Sequence, residues 1–283
     1  MSKISTGANA SPYDIRNFKY EGVYTNQVGG YKYLDKEILD QSKVGICTSI
    51  SLIENANKSL GTKYSPDFQY LLQKKYFDRN WDEGSSIFSA LKMAKTFGFL
   101  PKKYFDKYIK QEDRDLPYYK YVKKLQSISD LEITELLTKC EKRLVAYESV
   151  PIKRDSLASA IDNSSAGILV RFNIGEKWWK PSWKEKDINP LQPTTQGIIT
   201  GHAVTTCYFF GELFTLANSW GKEWCRNGSA DFFLSQYAPT EAWIPYYDIM
   251  PDSVQKKIDK QKTIMYKTIE VLQKMISILS SNK

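Results

Sequence analysis

The chain has 283 residues, 42% of them hydrophobic and 25% charged, a globular composition that excludes disorder throughout, collagen-like order and a disulfide-stapled miniature. The net charge of +8 is unevenly spread, because residues 251–283 carry seven lysines against Asp252, Asp259 and Glu270, or half of the excess. The remainder describes a solvated surface and, with no RNP, KH or zinc-finger signature, gives no ground for a nucleic-acid partner.

No apolar run reaches the roughly 18 residues that a membrane helix needs, so no stable membrane insertion is expected. The opening MSKISTGANASPYDIRNF lacks an apolar h-region, and no signal peptide is visible. Cys47, Cys140, Cys207 and Cys225 form no CxxC pair and His202 is the single histidine, so neither a metal nor a cofactor is expected. The thiols read as reduced, in the cytoplasm or a virus particle.

Residues 1–33 are polar, without sustained periodicity, and read as an extended arm. A helix is predicted from Cys47 to Leu60, with Ile46, Ile50, Ile53 and Leu60 on one face and Gly61 as its stop. A second starts at Ser65-Pro66-Asp67, which supplies an N-cap, a first-turn proline and a first-turn acid. A third starts near Ser85/Ser86, carries Ile87, Ala90, Leu91 and Ala94 inward and stops at Gly98. Residues 34–115 thus form a helical lobe. Beyond it, 116–250 is the β-rich lobe: helices at 130–146 and 153–163, then strand-like stretches at 167–172, 198–210, 213–218 and 229–234. Gly211 sits where a type II′ hairpin requires glycine. The stretch holding Trp178, Trp179 and Trp183 reads as a loop. The order, helices first and strands later, is α+β.

Residues 251–283 differ again. Ile258, Met265, Leu272 and Leu279 are seven apart, with Ile269 and Ile276 at the alternate positions, an amphipathic helix with an a/d pattern. It packs on its own domain, or joins a homo-oligomer through 258–279, or lies on a membrane surface.

A thiol attacks as thiolate, so it needs a base and a field that favours the anion. Cys47 stands at a predicted helix start, where unsatisfied N–H groups and the positive end of the dipole face its sulfur. Gln41, six residues earlier, offers a side-chain amide that could serve an oxyanion beside the Cys47 N–H. His202 is the one base available, on a predicted strand, and Asn218 follows sixteen residues later across a hairpin. Ideal register sets Gly221, not Asn218, opposite the histidine, so the chain must bend.

Gln41-x5-Cys47 at a helix start, then Gly201-His202-Ala203, then Asn218-Ser219-Trp220-Gly221-x-x-Trp224, resembles the papain-like cysteine peptidases over residues 34–250, in wording closest to bacterial and viral members. The resemblance implies a two-lobed papain-like fold, with an N-terminal helical lobe and a C-terminal antiparallel β-barrel-like lobe, and an endopeptidase acting on protein or peptide substrates. It implies Cys47 as nucleophile, His202 as base and then acid, Asn218 as the group that orients the imidazole, and Gln41 with the Cys47 N–H as oxyanion hole. Trp220 would shield the Asn–His hydrogen bond, and Gly84 and Ser85, in Asp82-Glu83-Gly84-Ser85-Ser86-Ile87, would run beside the substrate backbone.

Four positions depart from the family's pattern. Val44 stands where a disulfide cysteine is usual, Thr48 where an aromatic follows the nucleophile, Gly201 where an Asp precedes the histidine, and Cys225 where a Gly follows the second Trp. None removes a catalytic group. Other readings are a transferase or cell-wall peptide hydrolase with the same triad, or a virion or assembly component that keeps the fold for binding and oligomerises through its C-terminal helix.

Overall fold

The computed structural model describes residues 7–12, 18–22, 27–31, 38–175, 200–225 and 228–281. The expected loop at Trp178, Trp179 and Trp183 and the side chain of Leu279 lie outside what is described. The chain divides into two compact units, residues 1–248 and 249–283.

The first unit contains, in chain order, β1 (Ala8–Asn9), β2 (Val28–Gly30), α1 (Cys47–Leu60), α2 (Pro66–Leu72), β3 (Ser85–Ser86), α3 (Ile87–Phe97), α4 (Tyr118–Gln126), α5 (Asp130–Leu137), β4 (Leu144–Ser149), α6 (Arg154–Asp162), β5 (Ile168–Ile174), β6 (Thr200–Phe210), β7 (Leu213–Ala217), β8 (Ser229–Phe233) and β9 (Glu241–Tyr247). Local chemistry sets the helix ends. The Ser65 side chain accepts from the Phe68 N–H with Pro66 in the first turn, and the Ser86 side chain accepts from the Ser89 N–H. Gly61 ends α1 in the left-handed conformation, φ 66°.

The first helix is buried on every side from Cys47 to Ala56, not on the single face its spacing suggests. Ile50 joins the core of the helical half with Phe68, Leu71 and Tyr121, whereas Leu52, Ile53 and Ala56 pack with Leu144, Leu169 and Trp243 of the sheet half. Asn55 is met by the sheet side: its amide donates to the carbonyls of Ala166 and Gly167, both at 3.0 Å, and accepts from the Tyr247 hydroxyl at 2.9 Å, while Thr48 and Ser49 bond to Gln73 of the helical half.

The strands β4-β9-β5-β6-β7-β8 lie side by side in that order, with β2 added against β6, and every pairing within this sheet is antiparallel. The end strands β4 and β8 do not pair with each other, so the sheet stays open and is not a closed barrel. Gly211 has φ 59° at the hairpin where Phe210 faces Leu213.

Two further expectations change. The helix expected over 130–146 ends at Leu137, and Leu144–Ser149 is a strand whose residues alternate between buried and half-buried. Beyond the boundary drawn at 115/116, α4 and α5 still carry Tyr121, Leu125 and Ile133 into the core under α1 and α2. The first 33 residues contribute β1, which pairs parallel with β3, and β2, with the arm also bridging Lys19 to Ser149.

The second unit is α7 (Asp252–Ser281), a single 30-residue helix. Met265, Ile269, Leu272 and Ile276 are exposed on it. Among the described residues no helix is long and apolar enough to cross a membrane.

A buried ion pair fastens the helical half. Arg114 donates to both carboxylate oxygens of Asp67, at 3.0 and 2.7 Å, and to the Asp40 carbonyl at 2.6 Å, while Tyr121 donates to the same Asp67 at 3.0 Å. Both side chains are almost fully buried. Removing Arg114 strands a buried carboxylate, so Arg114→Met is expected to lose about 3–5 kcal/mol in urea unfolding. Arg143→Met, at the exposed Asp248 pair, loses less than about 1 kcal/mol. Equal losses would contradict this ordering.

Candidate active site

Cys47 is the first residue of α1 and is fully buried. Ile46, at the cap position, offers no capping side chain, and of the first-turn N–H groups those of Cys47 and Thr48 act on the sulfur while those of Ser49 and Ile50 donate to the Ile46 carbonyl, both at 3.0 Å. Burial pushes the Cys47 thiol up from its ordinary value, against the pull of the backbone N–H groups of Ala203, Gly7, Thr48 and Cys47 itself. The Ala203 contact brings the strand that carries His202 to the thiol.

His202 is fully buried on β6, where it faces Phe172 of β5. Its Nε2 lies 2.7 Å from Asn218 Oδ1, and that oxygen also accepts from the Ser219 N–H at 2.7 Å. Because a backbone N–H can only donate, the Asn218 atom must be the carbonyl oxygen, and Nε2 therefore carries the ring proton. Nδ1 is left as the basic nitrogen. The Trp220 ring stacks on the imidazole, centroids 4.5 Å apart and planes 21° apart, and Trp224 meets Trp220 edge-on at 5.6 Å. Burial pulls His202 down to about 4, while the Asn218 hydrogen bond works the other way. Both members of the pair are thus held neutral.

The bend that Asn218 requires has a visible source. Between β6 and β7 the register shifts at Cys207, from Tyr208↔Thr215 to Thr206↔Leu216. That bulge moves the histidine end of the hairpin by one residue, and pairing stops at Ala217. The Asn218 N–H then goes to the Gly228 carbonyl at 2.8 Å.

Gln41 is fully buried and stitched to the Asn218–Gly221 segment. Its N–H donates to the Ser219 carbonyl at 2.8 Å, the Gly221 N–H donates to the Leu39 carbonyl at 3.1 Å, and the Ser219 hydroxyl donates to Gln41 Oε1 at 2.6 Å. With Oε1 held, the amide nitrogen turns toward the loop before Cys47, where it donates to the Val44 carbonyl at 3.0 Å. Gly84 and Ser85 meet the N-terminal arm, where a Cβ on Gly84 would stand 2.2 Å from the Gly7 carbonyl oxygen. The Ser85 N–H donates to the Gly7 carbonyl at 2.6 Å, and the Gly7 N–H reaches the sulfur.

Three supporting residues carry no role in the sequence reading. Ser219 orients Gln41 and is legible only as part of Asn-Ser-Trp-Gly. Lys74, nearly fully buried, donates to the Gly84 carbonyl at 2.8 Å, and Glu83 accepts from the Gly45 N–H at 2.9 Å. These last two depend on long-range contacts with no local signature. Cys225 adopts φ 47°, a left-handed conformation that glycine takes without strain.

No family model matches the sequence, and no curated protein matches it. Solved structures do. Xylellain, a cysteine protease from Xylella fastidiosa, superposes with a TM-score of 0.68 over 87% of this chain and 97% of that one, at 18% identity. Digestive procathepsin L 3 of Tenebrio molitor larval midgut gives 0.55 over 81% and 76%, at 14% identity. The Carica candamarcensis cysteine protease CMS1MS2, solved in complex with E-64, gives 0.54 over 78% and 99%, at 12% identity. The fold is that of the papain-like cysteine proteases, as the motifs imply.

The buried imidazole has a consequence for stability. An unfolded histidine takes its proton near the ordinary 6.5, the native one only near 4, so the unfolded state binds more protons between those values. The contribution is intact above pH 6.5, is lost as pH falls toward 4 and levels off below. Urea unfolding should show this fall, of up to about 3 kcal/mol, and His202→Gln should flatten it. Parallel stability–pH curves for the two proteins would contradict the assignment.

Proposed function

We propose that the chain is a cysteine endopeptidase that hydrolyses peptide bonds through a thioester acyl-enzyme. The observation that carries this reading is the His202–Asn218 hydrogen bond under the Trp220 ring, beside a thiol at a helix N-terminus in a papain-like fold.

In the reaction, Cys47 gives its proton to His202 Nδ1 and the sulfur attacks the scissile carbonyl carbon. Negative charge gathers on the carbonyl oxygen, facing the Cys47 N–H and the Gln41 amide. The imidazolium, held by Asn218, returns the proton to the leaving amine as the C–N bond breaks. Water, deprotonated by the neutral His202, then attacks the thioester; the carboxylic acid leaves and the sulfur regains its proton. Gly84 and Ser85 supply backbone groups for an extended substrate, a role supported at Ser85 by the strand that it already pairs with.

Cleavage of a fluorogenic peptide panel by the full chain tests this reading. Cys47→Ala and His202→Ala should abolish it, and Gln41→Ala should lower kcat by about 10²–10³-fold with little change in KM. Cleavage that persists without Cys47 would remove the reading.

A second reading concerns assembly, and the exposed Met265, Ile269, Leu272 and Ile276 favour it. Their a/d spacing suits self-association of α7. Sedimentation of the full chain should show an oligomer that Ile269→Lys with Leu272→Lys dissociates; a monomer in both cases would rule it out.

A further inference from the structure

We propose that Lys74 is a positioning residue that aims the Ser85 N–H at the substrate backbone by holding the carbonyl at the far end of the same peptide unit. The role rests on the peptidase reading above, whereas the contacts that carry it do not.

Among the described residues Lys74 is the one buried lysine, only 1% exposed, in a π-helical turn (Gln73–Asp78) that continues α2. A buried charge is tolerated only when it is paired and hydrogen-bonded. Here every donor is used: the three N–H bonds of the ammonium go to Asp78 Oδ2 at 3.0 Å, Asn80 Oδ1 at 3.1 Å and the Gly84 carbonyl at 2.8 Å. The shortest of the three is the one to the backbone.

That bond acts through planarity. The Gly84 carbonyl and the Ser85 N–H belong to one trans peptide, so they point in opposite directions and turn together. With the carbonyl fixed on Lys74, the N–H is fixed facing β1, where it donates to the Gly7 carbonyl at 2.6 Å. Ala8, which pairs with Ser85, belongs to the same apolar cluster as Cys47. It is this N–H that the peptidase reading assigns to an extended substrate. A cation on the carbonyl also polarises the amide and makes its N–H the stronger donor.

The preceding peptide is held as well. Gly84 has φ 92°, and its N–H donates to the Tyr70 hydroxyl at 3.2 Å. Tyr118 donates to the Asp82 carbonyl at 2.9 Å, so in the 2.6 Å contact between the two hydroxyls Tyr70 is the donor. The Gly84 N–H, Tyr70, Tyr118 and the Asp82 carbonyl thus form one chain of hydrogen bonds with a single sense. Glu83 ties the same loop to Gly45, two residues before Cys47, by accepting its N–H at 2.9 Å.

Gln73, beside Lys74, reaches the other partner. Its side chain bonds Thr48 and Ser49 in the first turn of α1, and Thr48 is one of the positions that depart from the papain-like pattern. One widened turn therefore grips the helix of the thiol through Gln73 and the Ser85 peptide through Lys74. Turns of this kind recur at functional sites.

The test uses the full chain with Lys74→Met, which keeps the stem and removes the ammonium, and Asp78→Asn, which weakens the ion pair but leaves the Gly84 bond. The first readout is amide hydrogen exchange at Ser85 by NMR, with Leu52 of α1 as reference. The second is the ratio of kcat/KM for a fluorogenic peptide to that for p-nitrophenyl acetate, an ester with no backbone beyond the reacting carbonyl. Lys74→Met should speed Ser85 exchange at least about fivefold and lower the ratio by a similar factor, with Leu52 unchanged. Asp78→Asn should lower stability in urea and leave exchange and ratio as they are. Should Lys74→Met not fold, Lys74→Gln, which keeps a shorter neutral donor, is measured in its place and should shift both in the same direction. Unchanged exchange at Ser85, or an unchanged ratio, in the folded Lys74 variant would overturn the proposal and leave the peptidase reading standing. An equal fall of the ratio in Asp78→Asn would also overturn it, because the ion pair and not the Gly84 bond would then be the cause. Faster Ser85 exchange with neither substrate cleaved by any form would keep the aiming of the N–H and sink the peptidase reading.

Discussion

The stitch between residues 39–41 and 218–221 holds the rest of the site in place. On one side it fixes the loop that leads into Cys47 and α1; on the other it fixes the turn that carries Asn218 and Trp220. Its members are two backbone hydrogen bonds, Gln41 to Ser219 and Gly221 to Leu39, and the Ser219–Gln41 side-chain bond. Each chain segment comes from a different half of the fold, so the loop that leads to the thiol and the turn beside the imidazole are held together by one short antiparallel contact. The buried Arg114–Asp67 pair reinforces it from behind, because Arg114 also holds the Asp40 carbonyl.

Electrostatics at this junction follow from burial. Moving an ion pair out of water costs several kcal/mol per ion, and here both the thiol and the imidazole are displaced toward their neutral forms. The helix N-terminus works in the opposite direction, since Cys47 and Thr48 direct their N–H groups at the sulfur. The seated arm adds to the burial.

Much of the fold could be read from local chemistry. Gly61, Ser65-Pro66 and Ser86 placed helix ends because capping and left-handed glycine act over a few residues, and the ordered set around Gln41, Cys47, His202 and Asn218 carried the papain-like fold. Elements set by tertiary context were not legible. The helix expected over 130–146 takes in the start of the strand Leu144–Ser149 because neither glycine nor proline marks the helix end. Residues 241–247 were not recognised as a strand because Pro245 interrupts the run. In the sheet β5 faces β9 only from Glu241 to Trp243, so the missing N–H of Pro245 falls beyond that ladder. The seat of the arm was illegible for the same kind of reason: Gly7 and Gly84 are far apart in sequence, and nothing local says that their small size serves one contact.

The central claim is that His202 activates one thiol among four. The direct measurement is intact mass and peptide mapping after exposure of the full chain to the epoxysuccinyl reagent E-64. The account predicts a single adduct, on Cys47, that disappears in His202→Ala. Adducts spread over Cys140 and Cys225, or labelling of Cys47 at the same rate without the histidine, would contradict it.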